Sequence, residues 1–212
     1  MKLHLPDPNL LQKTGEVDYY YWNYQFPIKY IQRIRFKAIL KLMGDKIYDK
    51  LLEIGTGSGI FLYELSRHSQ NVYAIDIHDK MEAVEKLCKA TSIDVKIDRC
   101  PIENTPYQDE MFDIIIAVSV LEFVGELNKA LCEIRRLLKP NGIFLTICPQ
   151  QSKLLDFFLS VYSTKSPDEE FLNPRKEMNR ILETHFKVIK KEIYPPILGR
   201  VLPVYNCYKL CK

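Results

Sequence analysis

The chain is built around the stretch Leu51-Leu52-Glu53-Ile54-Gly55-Thr56-Gly57-Ser58-Gly59. Residues 51–54 are apolar apart from one acid and stop at a glycine, a pattern that predicts a short buried strand. A helical apolar pattern starts at Ile60, so the three glycines lie at a strand-to-helix corner. Such a corner lets the backbone approach a ligand closely, with a helix N-terminus behind it.

The spacing of the glycines narrows the kind of ligand. The dinucleotide fingerprint G-x-G-x-x-G needs its third glycine at position 60, where this chain has isoleucine. A Walker-type phosphate loop ends in Gly-Lys followed by Ser or Thr, and this stretch does not. The pattern is E-x-G-x-G-x-G, which makes a nicotinamide-dependent oxidoreductase the less favoured alternative. A glycine turn without any ligand is a further alternative.

A second acid stands at the end of the next apolar run. Residues 72–77 predict a strand with Asp76 at its tip. In a βαβ unit this carboxylate lies beside the glycine loop, where it can accept hydrogen bonds from both hydroxyls of a ribose. The alternative is a cap for the helix that begins near Asp79. His78 is interpreted as a polar rim residue.

Later segments continue the alternation of strands and helices. Residues 112–120 form a long apolar run suited to a strand that is buried on both faces. An amphipathic helix is predicted over residues 127–138, ended by the sequence Lys139-Pro140-Asn141-Gly142. Further strands are predicted at residues 143–147, 186–189 and 204–210.

Taken together, these motifs resemble the class I S-adenosylmethionine-dependent methyltransferases, in the small-molecule branch that includes quinone and lipid methyltransferases. The resemblance covers residues 48–148 most strongly. It implies an α/β fold with three layers, a Rossmann-like sheet of about seven mostly parallel strands whose last strand is antiparallel. It also implies S-adenosylmethionine as the cofactor, a small-molecule methyl acceptor that is hydrophobic or lipid-like, and no metal.

In this family the glycine loop passes under the methionine and ribose of the cofactor, and the acid on the first strand helps to hold the amino-acid end. The resemblance therefore implies cofactor contacts by Glu53, Gly55, Thr56, Gly57, Gly59, Asp76, Ile77, Ile102, Glu103 and Ser119. The family's acid for the adenine amino group is replaced here by Pro101. The backbone of Ile102, or the side chain of Asp98 or Glu103, can take that contact.

Residues 1–45 are predicted to form an aromatic and basic lid with the first helix, ahead of a methyltransferase core at 46–212. Residues 19–26 contain six large aromatic side chains, which need the domain or a bound substrate as an apolar partner. The helix over residues 28–43 has only basic charges. Its charged face is either an ordinary solvated face or a peripheral contact with an anionic membrane.

The predicted reaction is methyl transfer, and a general base is needed only if the acceptor is a hydroxyl group. The catalytic candidates are Glu122 and the lid tyrosine Tyr24, although each is also compatible with packing alone. Other base candidates are His4, His185, Tyr19, Tyr20 and Tyr21. Residues 150–180 are predicted as an insert over the substrate side. A methyltransferase fold that binds cofactor or a partner without turnover is the second alternative.

Composition sets outer limits on the function. The chain has 212 residues, 47% of them hydrophobic and 27% charged, which suits one globular domain. The net charge of +3 is too small to predict nucleic-acid binding. The six cysteines include no C-x-x-C pair, which predicts free thiols in a reducing cytoplasm. No signal peptide or membrane span is predicted.

Overall fold

The computed structural model describes residues 2–150, 177–196 and 203–212. Within these residues seven strands form one sheet in the order β3-β2-β1-β4-β5-β7-β6. The strands are β1 (Tyr48–Ile54), β2 (Ser69–Asp76), β3 (Val95–Arg99), β4 (Phe112–Val118), β5 (Leu138–Pro149), β6 (Lys187–Tyr194) and β7 (Tyr205–Cys211). The α-helices are α1 (Lys29–Met43), α2 (Leu62–Leu65), α3 (Met81–Ala90), α4 (Leu127–Leu137) and α5 (Met178–His185).

The sheet has the predicted direction of strands. Strands β1 to β5 pair in parallel, with Leu52 of β1 opposite Tyr73 of β2 and Ile115 of β4. Only β7 is reversed, since it runs antiparallel to both β5 and β6. The apolar runs of β1 and β4 are continuous because both faces of these central strands are covered. The predicted three-layer α/β fold is confirmed.

Two boundaries differ from the sequence prediction. The helix predicted to reach residue 138 ends at Leu137, and β5 begins at Leu138 rather than at residue 143. Leu138 pairs with Phe112, and the next pair along the two strands is Ile143 with Ile114. Residues 139–142 therefore bulge out of the ladder. Proline is tolerated there, because a bulged residue needs no ladder hydrogen bond.

The N-terminal residues pack against the sheet instead of standing apart from it. Trp22 is buried and stacks on Tyr19, with ring centroids 4.1 Å apart. Phe36 of α1 stacks on Phe61, which directly precedes α2, at 4.5 Å. Much of the predicted aromatic cluster thus has the domain as its apolar partner. This packing fixes the segment at residues 14–23 over one end of the sheet.

The structure does not test several of the predictions from the sequence. Helix α1 exposes Tyr30, Lys37 and Lys41. Contact of residues 28–43 with a membrane stays a prediction, and so does a cytoplasmic location. No helix in the described ranges is long and apolar enough to cross a bilayer. The insert predicted at residues 150–180 falls outside the described residues except at its two ends. All six cysteines are free thiols.

Candidate active site

A cavity of about 660 Å³ lies at the carboxyl ends of β1, β2 and β4. Its volume is in the range of about 300–1,000 Å³ that small-molecule and cofactor sites have. Open α/β sheets bind ligands at this edge because the loops that follow parallel strands meet there. The glycine loop forms the floor, and residues from the N-terminal segment form the roof, among them Thr14, Asp18, Tyr19 and Tyr20.

Asp76 joins the second strand to the glycine loop, as its position in the sequence predicts. Its Oδ2 accepts the N–H of Gly57 at 2.8 Å and its Oδ1 accepts the N–H of Ile77 at 2.7 Å. Helix α3 has Lys80 at its cap position without a side-chain cap bond, so Asp76 does not cap it. An ionised carboxylate has about four lone-pair sites, and the two that remain can accept ribose hydroxyls.

Glu53 lies deep in the floor, where only 3% of its surface is exposed. The hydroxyl of Thr56 donates to its Oε2 at 2.9 Å. Burial raises the pKa of Glu53 to about 8, opposed by the bond from Thr56 and reinforced by the charge of Asp76. The side chain is therefore mostly neutral at pH 7 and can donate a hydrogen bond. A positive ligand group beside it would favour its ionised form.

This raised pKa predicts how stability changes with pH in the protein without ligand. Between about pH 4.5 and 8 the folded state binds more protons than the unfolded state, so the free energy of unfolding falls as pH rises. Glu53→Gln removes the carboxyl group and with it this decrease in the free energy of unfolding. We expect the variant to match the parent near pH 4.5 and to exceed it at pH 9 by up to about 5 kcal/mol, at about 1.4 kcal/mol per pKa unit.

Urea unfolding of both proteins from pH 4.5 to 9 measures this difference. The raised pKa of Asp18 is common to both proteins and cancels in the comparison. If the free energies of unfolding of the two proteins differed by the same amount at every pH, Glu53 would have an ordinary pKa in the folded state.

Contacts at three places link the N-terminal strap, defined as residues 2–20, to α2, to the residue before α3 and to the glycine loop. His4 Nδ1 lies 3.0 Å from Oε2 of the buried Glu64. Lys80 Nζ donates to the carbonyl oxygen of Lys13 at 3.0 Å. The third place is Asp18, described next.

Asp18 fastens the strap to the glycine loop itself. Its Oδ2 accepts both the N–H and the hydroxyl of Thr14 at 3.0 Å, and the hydroxyl of Ser58 donates to its Oδ1 at 3.4 Å. Burial raises the pKa of Asp18, and the bonds from Thr14 and Ser58 oppose that shift. The sequence did not predict a role for Thr14, Asp18 or Ser58. Nothing in residues 1–18 indicates that this segment contacts the glycine loop.

The structure narrows the candidates that could replace the family's acid at position 101. Pro101, Ile102 and Glu103 line the cavity, whereas Asp98 does not. Asp98 Oδ2 instead accepts the hydroxyl of Tyr107 at 2.7 Å, which removes Asp98 from the proposed replacements for the missing family acid. Ile77 is 69% exposed and offers the cavity an apolar surface.

Arg35 is the only lysine or arginine among the described residues that line the cavity. Its Nε donates to the carbonyl oxygen of Gln32 at 3.2 Å. No acidic side chain in the described ranges forms an ion pair with it. Sequence reasoning assigned Arg35 to the basic face of the helix, because the helical spacing alone did not show which charges turn inward.

Aromatic side chains form a large part of the lining of the cavity, namely Tyr19, Tyr20, Trp22, Phe36, Phe123 and Tyr205. Glu122 joins them from the 3₁₀ turn Leu121–Phe123 that follows β4, and 1% of its surface is exposed. The structure thus brings the first catalytic candidate to the cavity.

Tyr24 is placed elsewhere, which corrects the second catalytic expectation. The 3₁₀ turn Tyr20–Asn23 directs its side chain away from the cavity, where its hydroxyl donates to the carbonyl oxygen of Pro6 at 2.7 Å. Burial also raises its pKa to about 12. His4 and His185 lie outside the cavity as well, beside Glu64 and Asn128.

Comparison with known proteins adds to this geometry. Residues 52–146 match the family model described as a methyltransferase domain. Over this segment, a little under half of the chain, the protein is similar to methyltransferase domains. The motifs that indicated this similarity, from the glycine loop to the start of β5, all fall within the matched residues.

Relatives named as methyltransferases are similar to the chain in sequence, and solved structures share its fold. A ubiquinone biosynthesis O-methyltransferase of Rickettsia akari is 22% identical over 90% of this chain and 83% of its own length. A demethylmenaquinone methyltransferase of Tropheryma whipplei is 29% identical over 53% of this chain and 46% of its own length. The PH0226 protein of Pyrococcus horikoshii shares the fold with a TM-score of 0.72 at 19% identity, covering 91% of this chain and 97% of its own. A SAM-dependent methyltransferase of Aquifex aeolicus has a TM-score of 0.67 at 21% identity, covering 89% and 100%.

The residues of the cavity fit the parts of S-adenosylmethionine, the cofactor that the sequence resemblance implies. Asp76 can bind the ribose hydroxyls, and Ile77 and Ile102 can contact the adenine ring. Glu53 can bind the ammonium group, and Arg35 can bind the carboxylate.

Ser119 is a separate indication that the cavity binds a ligand. Its Oγ is buried without a hydrogen-bond partner among the described residues, and its backbone has a φ of +54°, which a residue other than glycine rarely adopts.

Proposed function

We propose that the methyltransferase transfers a methyl group from S-adenosylmethionine to a hydroxyl group of a small, hydrophobic, quinol-like acceptor. The observation that carries this proposal is the continuity of one cavity from the glycine loop to an aromatic wall that includes Tyr20, Phe36 and Tyr205. Aromatic walls suit flat apolar rings. The names of the Rickettsia and Tropheryma relatives, which refer to ubiquinone and menaquinone compounds, support the same class.

The cofactor supplies a methyl group that its sulfonium has already activated. The residues of the chain hold the two reactants in line and keep water out. Alignment of this kind accounts for up to about 7–11 kcal/mol of barrier in the best intramolecular cases. The strap covers the glycine loop through the contact of Asp18 with Ser58, which limits the access of water from that side.

Glu122 is the proposed general base. A phenolic hydroxyl has a pKa near 10 and must lose its proton to become a strong nucleophile. Glu122 lies immediately beyond β4, beside Ser119 and Phe123 in the lining of the cavity. Its carboxylate would accept the hydroxyl proton as the methyl group is transferred.

The test is methyl transfer to defined acceptors. The probes are catechol, 4-decylcatechol and benzylamine, each incubated with the chain and S-adenosylmethionine. We expect mass spectrometry to show methyl ethers of both catechols, with the decyl compound the better acceptor because of the apolar wall. Methylation of benzylamine alone would contradict the proposed acceptor class.

The role of Glu122 as general base is tested by a substitution in the same assay. We expect Glu122→Gln to lower kcat with catechol by about 100-fold and to leave the affinity for S-adenosylhomocysteine unchanged. Glu126→Gln is the matched control, since Glu126 lies on the surface and, among the described residues, forms an ion pair with Lys129 alone. Unchanged kcat in Glu122→Gln would refute the role of Glu122.

A further inference from the structure

The turn that follows β2 holds the ring of a histidine by two hydrogen bonds that define the tautomer of its neutral form. His78 Nδ1 accepts the backbone N–H of Lys80 at 3.1 Å, and His78 Nε2 lies 3.0 Å from the carbonyl oxygen of Gly57. A backbone N–H can only donate, so Nδ1 presents its lone pair to Lys80. The proton of the neutral ring is then on Nε2, which donates to Gly57.

Gly57 is therefore held from both sides by the same turn. Its N–H donates to Asp76 Oδ2 at 2.8 Å, and its carbonyl oxygen accepts from His78. The φ of Gly57 is +52°, a left-handed conformation that is only one of several open to glycine. The two hydrogen bonds select it. They also aim the Asp76 carboxylate, since its Oδ2 is tied to the loop that His78 steadies.

The sequence interpretation of His78 as a rim residue does not describe this arrangement. Its side chain is only 10% exposed, and its Nε2 is 3.9 Å from Asp76 Oδ2, beyond the length of a normal hydrogen bond. The ring thus acts on Asp76 through Gly57 and not through a direct bond.

We propose that His78 is a positioning residue for the ribose of the cofactor. By fixing the Gly57 carbonyl it keeps the Gly57 N–H on one oxygen of Asp76, and the free lone pairs of the carboxylate then point to the ribose hydroxyls. This inference rests on the cofactor and on the ribose role of Asp76, and it is independent of the acceptor.

Two substitutions separate the two bonds of the ring. His78→Asn places an amide oxygen near the position of Nδ1, which keeps the bond from Lys80 but cannot reach Gly57. His78→Gln places an amide nitrogen near the position of Nε2, which keeps the bond to Gly57 and gives up the one from Lys80. Calorimetry with S-adenosylhomocysteine and with its analogue lacking the ribose 2′-hydroxyl measures both variants and the parent.

We expect His78→Asn to bind S-adenosylhomocysteine about tenfold more weakly than the parent and His78→Gln to stay within about twofold. The loss of affinity caused by removing the 2′-hydroxyl should be smaller in His78→Asn than in the parent, because Asp76 is then misaligned. A general loss of folding would weaken both ligands alike and would appear as a lower Tm of the free protein.

Three results would overturn the inference. These are parental affinity in His78→Asn, equal losses in the Asn and Gln variants, and an undiminished effect of the 2′-hydroxyl in His78→Asn. A parent that binds neither ligand would instead refute the cofactor assignment.

Discussion

Gly55→Ala is expected to lower the free energy of unfolding by about 3 kcal/mol and to abolish cofactor binding. Gly55 has a φ of +69°, which costs an alanine about 1–2 kcal/mol. A β-carbon there would also overlap the side chain of Val120, with Cγ1 at 2.8 Å, closer than carbon atoms approach each other. Relief of this overlap must move the glycine loop or the segment that follows β4, and both line the cavity.

Gly57→Ala is the matched control in urea unfolding and calorimetry with S-adenosylhomocysteine. Its φ is +52°, but the nearest atom to an added β-carbon is Asp18 Cγ at 3.7 Å, an ordinary contact. We expect it to lose only the backbone cost, about 1–2 kcal/mol. Equal losses in the two variants would show that the overlap with Val120 is relieved at no cost.

Asp76→Ala is expected to weaken the binding of S-adenosylhomocysteine by about 1.5–3 kcal/mol, the range for hydrogen bonds to a charged group. The substitution removes the acceptor for the ribose hydroxyls and also frees the N–H groups of Gly57 and Ile77. Asp79→Ala is the control, because it removes the same charge from an exposed position three residues away. Parental affinity in Asp76→Ala would show that the ribose lies elsewhere.

The residues that form the floor of the site could be predicted, because their positions depend on where neighbouring strands end. Glu53 and Asp76 stand at the ends of neighbouring parallel strands, so the topology brings them together whatever the loops do. The three glycines are placed by the same strand end. The early start of β5 was not predictable, since the pairing of Leu138 with Phe112 joins residues that are far apart in the sequence.

The roof of the site could not be predicted for a related reason. Asp18 reaches Ser58 across 40 positions of sequence, and no pattern in either segment indicates the other. Tyr24 and Tyr20 look alike in the sequence, and a single 3₁₀ turn decides which of them faces the cavity. Arg35 was hidden among the basic residues of α1, because only packing shows which of them is turned inward.

The fastening of the strap also predicts an order of ligand binding and release. The strap is linked to Glu64 of α2 by His4, to Lys80 just before α3 by Lys13 and to the glycine loop by Asp18, so it spans three separate parts of the fold. We expect the nucleoside to enter before the strap closes and to leave only after it reopens. The acceptor would then arrive second and its methylated product depart first, and the reopening of the strap would set the upper limit on turnover.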